Sequence, residues 1–465
     1  MKFEISNLGY IKQAEIELGD LTIICGKNNT GKTYVNYAIY GFFTAWKSRM
    51  DFKKKFDIGI ENKLNKLFED GFLRLELSNY YEQVICAIND YAQLYSEKLN
   101  SIFNIDRRLL SNVSLIFKIN GYQQIYTDNT NININLSPES FELSMQLQEN
   151  DILEILFSAS ETIDERDIAL NKSFIRSQLR DLFFSQYFPS TFIITSERTG
   201  VSLFYKELDA QNNMIFEEMK RIKNINSLTS DEKINVVFRL INQISRYSQP
   251  IQDEINFVRD LDTISKRTGE LAKNNPEIIK LLTDIIGGDY SVTDYSMSFT
   301  FTEDNKQQEI PLYSASSTVK SLVNLYFYLK HLAKPGDILI IDEPELNLHP
   351  ENQRKLAKLF TRLTKCGLKL LMTTHSDYLI KELNNLIVLN NDFDNKSKLM
   401  EQYNYTEQDI LDPDKVRVYI AENHTLNLAN ITPLGIEVPT FDDEIINMTD
   451  FYDEVYDKVI DNRDI

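Results

Sequence analysis

The chain has 465 residues, a formal net charge of −19 and a hydrophobic content of 42%. That length allows about two or three domains, and 15 Gly with 11 Pro are too few for a disordered or linker-rich chain. The acidic balance disfavours DNA binding by the whole surface, because such binding needs net positive charge. The three widely spaced cysteines exclude a disulfide framework and a zinc site. The acid-containing N-terminus and the lack of a long apolar run predict a cytoplasmic protein without a membrane segment.

The first 45 residues predict three strands and a helix. Alternating apolar residues between Phe3 and Leu18 predict two antiparallel strands. The apolar run Leu21–Cys25 predicts a buried strand, and the helical spacing of apolar residues from Val35 to Phe42 predicts a helix. The segment between this strand and this helix fits the pattern G-x-x-x-x-G-K-[ST]. It consists of Gly26, Lys27, Asn28, Asn29, Thr30, Gly31, Lys32 and Thr33.

A glycine-rich loop between a strand and a helix predicts a phosphate-binding site. Gly26 and Gly31 allow backbone dihedrals that a side chain would forbid. The loop N–H groups and the helix N-terminus would then face the phosphates. We expect Lys32 to reach the β- and γ-phosphates and the Thr33 hydroxyl to bind Mg²⁺. The alternative is a chance glycine turn, which this strand–loop–helix context disfavours.

The middle of the chain is less regular. Its periodicity predicts mostly helix over Leu64–Glu97 and again over Asp151–Tyr187. The stretch Val113–Ile134 predicts a small sheet, with a possible turn at Gly121 and Tyr122.

After Pro189 the pattern becomes clearer. Thr191–Thr195 predicts a buried strand and Ser196–Gly200 a polar loop. The charged stretch Leu203–Leu282 predicts helices. A hairpin around Glu303–Asn305 and a Ser-rich loop before an apolar helix, Val319–Leu332, follow.

We therefore divide the chain into six segments: an N-terminal lobe (1–45), an inserted α/β region (46–188), a core strand and loop (189–202), a helical region (203–288), a C-terminal lobe (289–390) and an acidic extension (391–465).

A second strand ends in the acids that a phosphate loop requires. Four apolar residues, Ile338–Ile341, lead directly to Asp342 and Glu343. Asp342 can hold Mg²⁺, and Glu343 is placed to orient or deprotonate the attacking water. An ordinary acidic strand end is the alternative, and the phosphate loop in the same chain makes it improbable. If Glu343 is not the base, Glu345 and His375 are the next candidates.

His375 belongs to the Thr-His-Ser end of the next predicted strand, Leu368–Ser376. One helix and one strand separate it from the acid pair, which is the length of a parallel crossover. We therefore expect His375 at the same sheet edge as Asp342, close to the γ-phosphate, although a lone histidine is more often structural.

These motifs carry a family resemblance. Gly26–Thr33, Asp342–Glu345 with Leu348–Pro350, and Thr374–Ser376 resemble the ABC-type ATPase heads of the SMC and overcoming-lysogenization-defect (OLD) group. The chain is similar to compact members that lack the long coiled coil, including ATPases of the PARIS and Septu anti-phage systems. The resemblance implies an α/β fold, a P-loop ATPase head with a mixed sheet plus an inserted helical and small β region. It also implies ATP and Mg²⁺ as cofactors and a homo-oligomer built from head-to-tail dimers.

In such dimers a signature loop of one subunit contacts the γ-phosphate held by the other. The stretch Ala315–Val319 resembles that loop, and Ser316 would take the role of its serine. Ser317 and Thr318 replace the two glycines of the family pattern, which implies slow or partner-gated hydrolysis. Glu197 and Arg198 stand near the place of the family's glutamine loop.

The resemblance implies an ATPase that senses or controls a separate effector protein, with a nuclease as one candidate effector, in bacterial anti-phage defence. The alternatives are a DNA-repair or DNA-clamping ATPase and a self-contained OLD-type nuclease. Asp392 and Asp394 lie in a polar loop, so surface acids explain them better than a nuclease site. The acidic stretch Phe441–Asp464 predicts an amphipathic helix that packs on its own domain or, as the second choice, docks a partner.

Overall fold

The computed structural model describes residues 1–50, 52–119, 133–136, 141–159, 165–207, 247–293 and 296–461. The chain forms two compact units. Unit 1 contains Met1–Glu4, Phe42–Lys98 and Val113–Ser190, and unit 2 contains Ile5–Gly41, Leu99–Asn112 and Thr191–Ile465. Within the described ranges, no helix combines the length and the hydrophobicity needed to cross a membrane.

The strands are β1 Lys2–Leu8, β2 Ile11–Glu17, β3 Leu21–Cys25, β4 Phe72–Glu76, β5 Ser114–Lys118, β6 Asn133–Leu136, β7 Phe141–Gln148, β8 Ile152–Ala159, β9 Thr191–Ile194, β10 Asp289–Thr293, β11 Ser296–Glu303, β12 Lys306–Pro311, β13 Ile338–Asp342, β14 Lys369–Thr374, β15 Val416–Glu422, β16 Thr425–Leu428, β17 Ile431–Thr432 and β18 Gly435–Ile436.

The helices are α1 Lys32–Arg49, α2 Phe52–Asp70, α3 Tyr81–Glu97, α4 Asn100–Phe103, α5 Glu165–Phe184, α6 Gln249–Arg259, α7 Leu261–Ile264, α8 Glu270–Asn274, α9 Pro276–Ile286, α10 Ser317–His331, α11 Pro350–Lys365, α12 Asp377–Val388, α13 Lys396–Gln402 and α14 Pro439–Asp461. Residues 198–207 are helical as well.

Unit 2 is built on a six-stranded mixed sheet in the order β16-β15-β3-β14-β13-β9. Five of these strands are parallel, and β16 pairs antiparallel with β15. Every residue of β3 and of β13 is buried, as expected for strands that are covered on both faces. The predicted α/β fold with a mixed sheet is therefore confirmed. Because the carboxyl ends of parallel strands share one edge, β3, β13, β14 and β9 deliver their following loops to the same place.

Strand β15 comes from a part of the chain that we predicted to be an extension. It pairs in parallel with β3, from Val416 opposite Leu21 to Ile420 opposite Cys25. The predicted boundary at residue 390 thus cuts through the sheet. The pairing of β15 with β3 could not be predicted, because a polar stretch precedes β15 and strand pairing over such a distance leaves no local sequence pattern.

Helices cover the sheet of unit 2 with apolar side chains. The buried core includes Leu356 and Phe360 of α11, Leu383 of α12 and Tyr326 of α10. In addition, Phe192 of β9 stacks on a ring of α10, at 4.3 Å between centroids. This packing fixes α10 and α11 against the strands that carry the site.

The predicted hairpin around Glu303–Asn305 is present as β11 and β12, with Asp304 and Asn305 in the left-handed region that a tight turn requires. A third strand, β10, pairs with β11 and was not expected as a separate element.

Unit 1 contains an antiparallel sheet in the order β4-β8-β7-β6. The stretch predicted as mostly helix over 64–97 contains the end of α2 and all of α3, with β4 between them. The helical prediction over 151–187 was partly wrong, because this stretch begins with β8 before α5. Leu153, Ile155 and Phe157 are buried in alternation along β8, which is the period of a strand rather than of a helix. The possible turn at Gly121 and Tyr122 lies outside the described residues.

Two further predictions need correction. The loop predicted over Ser196–Gly200 is a short turn followed by helix from residue 198, and Arg198 is buried. The acidic C-terminal helix exists as α14, and we predicted that it packs on its own domain. Between residues 446 and 459, where its side chains are described, its large apolar side chains are instead exposed, among them Phe451 at 70% and Tyr452 at 63%.

Candidate nucleotide-binding site

The glycine loop connects β3 to α1 with a backbone that only glycine tolerates at two positions. Gly26 has φ +137°, and a Cβ there would lie 2.6 Å from the Ala421 carbonyl oxygen. Gly31 has φ +92°, and its Cβ would meet Ile11 at 3.0 Å. These dihedrals and close contacts explain both glycines physically. They leave a cradle free of side chains at the N-terminus of α1.

The loop forms one wall of a cleft of about 630 Å³. The cleft is lined by Gly9, Tyr10, Asn28, Asn29, Thr30, Gly31, Lys32, Thr33, Tyr34, Glu343 and His375. Residues predicted from two distant parts of the sequence therefore meet in one cavity, at the carboxyl edge of the sheet. Loop N–H groups, a lysine and a helix N-terminus at one cavity suit an anionic phosphate chain.

Lys32 lies at the base of the cleft and is 6% exposed. Its ammonium donates to the carbonyls of Gly26 at 3.0 Å and Lys27 at 2.7 Å. Burial lowers its pKa, and the nearby carboxylates of Glu343 and Asp342 oppose that shift. Gly26 and Lys27 therefore contribute through their carbonyls. The lysine is a buried cation that bound phosphates would stabilise.

Asp342 and Thr33 form a pair of hard oxygen donors. The Thr33 hydroxyl donates to Asp342 Oδ2 at 2.9 Å, and the Thr373 hydroxyl donates to the other carboxylate oxygen. Burial raises the pKa of Asp342, while these two hydroxyls lower it. Mg²⁺ is commonly held by one or two protein oxygens together with phosphate oxygens and waters. The donor set of Thr33 and Asp342 fits that ion.

Glu343 is held in an unusual backbone conformation, with φ +48°. Its N–H lies 3.2 Å from the carbonyl and 3.1 Å from the hydroxyl of Thr373. Its Oε1 lies 3.5 Å from His375 Nε2. Burial lowers the pKa of His375, and so does the charge of Lys32, so the imidazole is mainly neutral near pH 7. The pair presents a carboxylate and a neutral imidazole to the cleft.

Glu345 is engaged elsewhere. Its Oε1 accepts from the Thr374 hydroxyl at 2.9 Å and from the His375 N–H at 2.6 Å. Burial raises its pKa, and it is absent from the cleft lining. Glu345 therefore joins the loops after β13 and β14, and it is the weaker candidate for a base.

Ser316 lies apart from the cleft of its own chain. It is exposed, and its hydroxyl caps α10 by accepting from the Val319 N–H at 3.3 Å. Close by, the Thr318 hydroxyl donates to the Asn347 carbonyl at 2.7 Å, which ties this segment to the loop after β13. Glu197 accepts from the Tyr37 hydroxyl at 3.3 Å and does not line the cleft.

Sequence reasoning missed the aromatic side of the cleft. Tyr10 and Tyr34 line it, and Tyr10 stacks on His424 with 4.1 Å between the ring centroids. The signal for Tyr10 was weak, since one aromatic residue after Gly9 in a two-residue turn is common. His424 comes from the hairpin between β15 and β16, and nothing local in the sequence connects it to this cleft.

A strand, a phosphate-type loop, a helix and strand-end acids in one cavity define a P-loop nucleoside triphosphatase. Residues 1–380 match the AAA ATPase domain family. The chain therefore belongs to that family and is an ATPase of this kind. No curated protein matches the chain.

Among solved structures the chain is similar to three heads of the SMC type. The SMC head domain from Thermotoga maritima shares 11% identity at a TM-score of 0.31, covering 94% of this chain and 98% of that one. The Smc head domain with an extended coiled coil bound to the C-terminal domain of ScpA, from Pyrococcus furiosus, shares 11% identity at a TM-score of 0.31. The match covers 96% of this chain and 98% of that one. The SmcHead bound to the C-winged helix domain of ScpA shares 11% identity at a TM-score of 0.33, covering 92% of this chain and 96% of that one.

Proposed function

We propose that this ATPase works as a nucleotide-dependent dimer that controls a separate effector protein in bacterial anti-phage defence. In this proposal, Gly26 to Thr33 hold the phosphates of ATP, and Thr33 with Asp342 hold Mg²⁺. The ion would offset phosphate charge and orient the γ-phosphate. Glu343 orients and deprotonates the attacking water, and His375 forms a hydrogen bond close to the γ-phosphate.

The observation that carries the dimer is the position of Ser316. Ser316 is exposed, caps α10 through its hydroxyl and is not among the residues that line the cleft of its own chain. A second copy arranged head to tail would bring Ser316 to the nucleotide of its partner. Ser317 and Thr318 stand where the family pattern has two glycines. Their side chains add bulk at that contact and support slow or partner-gated turnover.

Complementation between two inactive variants tests the composite site. Lys32→Ala removes the phosphate-facing cation but keeps Ser316, and Ser316→Tyr keeps the loop but blocks the proposed contact. Neither homodimer should hydrolyse ATP at the normal rate. Their mixture should regain part of the activity, because one of its two sites combines an intact loop with an intact Ser316. A mixture no more active than the sum of its components would refute the composite site.

A protein partner is favoured by the charge. The net charge of −19 opposes contact with DNA phosphates. Asp392 and Asp394 are exposed in a loop between α12 and α13. These features favour an ATPase with a separate effector over a DNA clamp or a self-contained nuclease.

The effector is tested by purification from native cells at physiological salt, with and without nuclease treatment. Glu343→Gln should hold the ATP-bound state and Lys32→Ala the nucleotide-free state, so the two baits distinguish state-dependent partners from contaminants. We expect one protein to be retained by only one of the two baits. Recovery of nucleic acid alone, with tight salt-sensitive binding by the purified protein, would favour the DNA-clamping alternative.

A further inference from the structure

Arg198 is buried beneath the loop that carries Glu343. It is 2% exposed, and its guanidinium donates to four backbone carbonyls. The distances are 3.1 Å to Ser321 and 3.1 Å to Thr195, 2.8 Å to Asp342 and 2.7 Å to Glu343. The planar fork of an arginine can reach several such acceptors at once, which a lysine cannot do in the same geometry.

These four carbonyls belong to three different elements. Thr195 follows β9, Asp342 and Glu343 end β13 and begin the next loop, and Ser321 lies in α10. Helix α10 is the helix that Ser316 caps. One side chain therefore joins the segment proposed to contact a partner's nucleotide to the residue proposed to activate water.

The backbone of Glu343 needs such support. A non-glycine residue with φ +48° occupies a sparsely populated conformation, which persists only when its surroundings hold it. Arg198 binds the carbonyl of Glu343, and Thr373 accepts from its N–H. The side chain of Glu343 is thereby directed toward His375.

We propose that Arg198 is a positioning residue that holds Glu343 in its hydrolytic geometry and couples that geometry to the placement of α10. A shift of α10 moves the Ser321 carbonyl, and the shared guanidinium transmits the movement to the carbonyl of Glu343. Docking of the Ser316 segment on a second subunit would then adjust the general base. This inference rests on the proposed hydrolysis at the cleft and names how that site is regulated.

The test replaces Arg198 by lysine, which keeps the charge and loses the fork. We expect kcat to fall by about tenfold to a hundredfold, since small misplacements of reacting groups have effects of that size. The Kd for ATP should stay within about twofold, because Arg198 does not line the cleft. Arg198→Lys combined with Glu343→Gln should be no slower than Glu343→Gln alone, because residues that act as one unit are not additive.

A matched control is Arg362→Lys. Arg362 lies on α11 and does not line the cleft, and its guanidinium donates to the buried carboxylate of Asp409 at 2.7 Å. The Arg362→Lys substitution should lower the melting temperature without changing kcat at a temperature where the protein is folded. A second readout is hydrogen exchange at the Glu343 amide, which should accelerate in Arg198→Lys and not in the control.

Normal kcat and normal exchange in a folded Arg198→Lys variant would overturn the positioning role and leave the ATPase assignment intact. A different result, normal ATP affinity in Lys32→Ala, would contradict the ATPase assignment. If Arg198→Lys does not fold, Arg198→Gln is used instead, because its amide keeps one neutral donor for these carbonyls and loses the fork. That variant should also hydrolyse slowly, and wild-type kcat in it would likewise overturn the proposal.

Discussion

Glu254 offers a sharp prediction on stability, because it is a fully buried acid in unit 2. One carboxylate oxygen accepts from the hydroxyl of Thr195, and the other accepts from the Asn324 amide at 2.6 Å. Burial raises the pKa of Glu254 from 4.5 to about 7, against the opposing effects of these hydrogen bonds and of Arg198. We predict that Glu254→Gln becomes progressively more stable than the wild type as the pH rises from 4.5 to 8.

The size of the effect follows from the pKa difference. Below pH 4.5 the carboxyl is protonated in both states. Between 4.5 and about 7 the unfolded chain releases the proton while the folded protein keeps it, so the free energy of unfolding falls, and above about 7 the loss is complete. Each tenfold change in proton affinity is worth about 1.4 kcal/mol, so the full loss is on the order of 3 kcal/mol. Glutamine escapes it because it does not titrate.

Glutamine is also a reasonable fit. In the present arrangement the Asn324 oxygen is buried without a hydrogen-bond partner. If the Asn324 amide turns over, its oxygen can accept from the new NH₂ group. The number of satisfied polar atoms then stays the same. The comparison therefore isolates the charge rather than the loss of a contact.

The assay must observe unit 2. The single tryptophan, Trp46, belongs to unit 1, so its fluorescence is unsuitable. Native-state hydrogen exchange of amides in β13 and β14 gives the free energy of opening at each pH. Glu303→Gln is the control, because that carboxylate is exposed in the folded protein. A constant difference between Glu254→Gln and the wild type from pH 5 to 8 would refute the reasoning.

Four further outcomes are expected. Lys32→Ala should abolish ATP binding in a filter or fluorescence assay, because the buried phosphate-facing cation is lost; retained affinity would contradict the assignment of the loop. Glu343→Gln should bind ATP and slow the single-turnover step by about 10²–10⁴-fold, and a wild-type rate would move the base to His375 or Glu345. Glu343→Gln should also sediment as a dimer with ATP and not without it, whereas one unchanged mass would contradict nucleotide-dependent assembly. Tyr10→Ala should raise KM for ATP more than it lowers kcat, because Tyr10 lines the cleft away from the proposed water; an unchanged KM would exclude it from binding.

Several features were predictable because they are local. The strand before Gly26, the helix after Thr33 and the strand that ends at Asp342 each combine a buried apolar run with a motif at its end. Parallel strands with crossover helices then bring their carboxyl ends to one edge. The sequence alone therefore predicted that Lys32, Thr33, Asp342 and Glu343 would be neighbours. Strand β8 was misread because a short run of apolar residues has no clear period, and only its pairing with β4 and β7 decides the outcome.

The remaining features depend on contacts between distant parts of the chain. Strand β15 joins the sheet beside β3, and His424 stacks on Tyr10 across more than 400 residues of sequence. Arg198 looked like part of a polar loop, yet the fold buries it under the loop of Glu343. Its partners are backbone carbonyls, which every residue carries, so no residue type in the sequence identifies them. Which carbonyls meet the guanidinium is decided only when β9, β13 and α10 pack together.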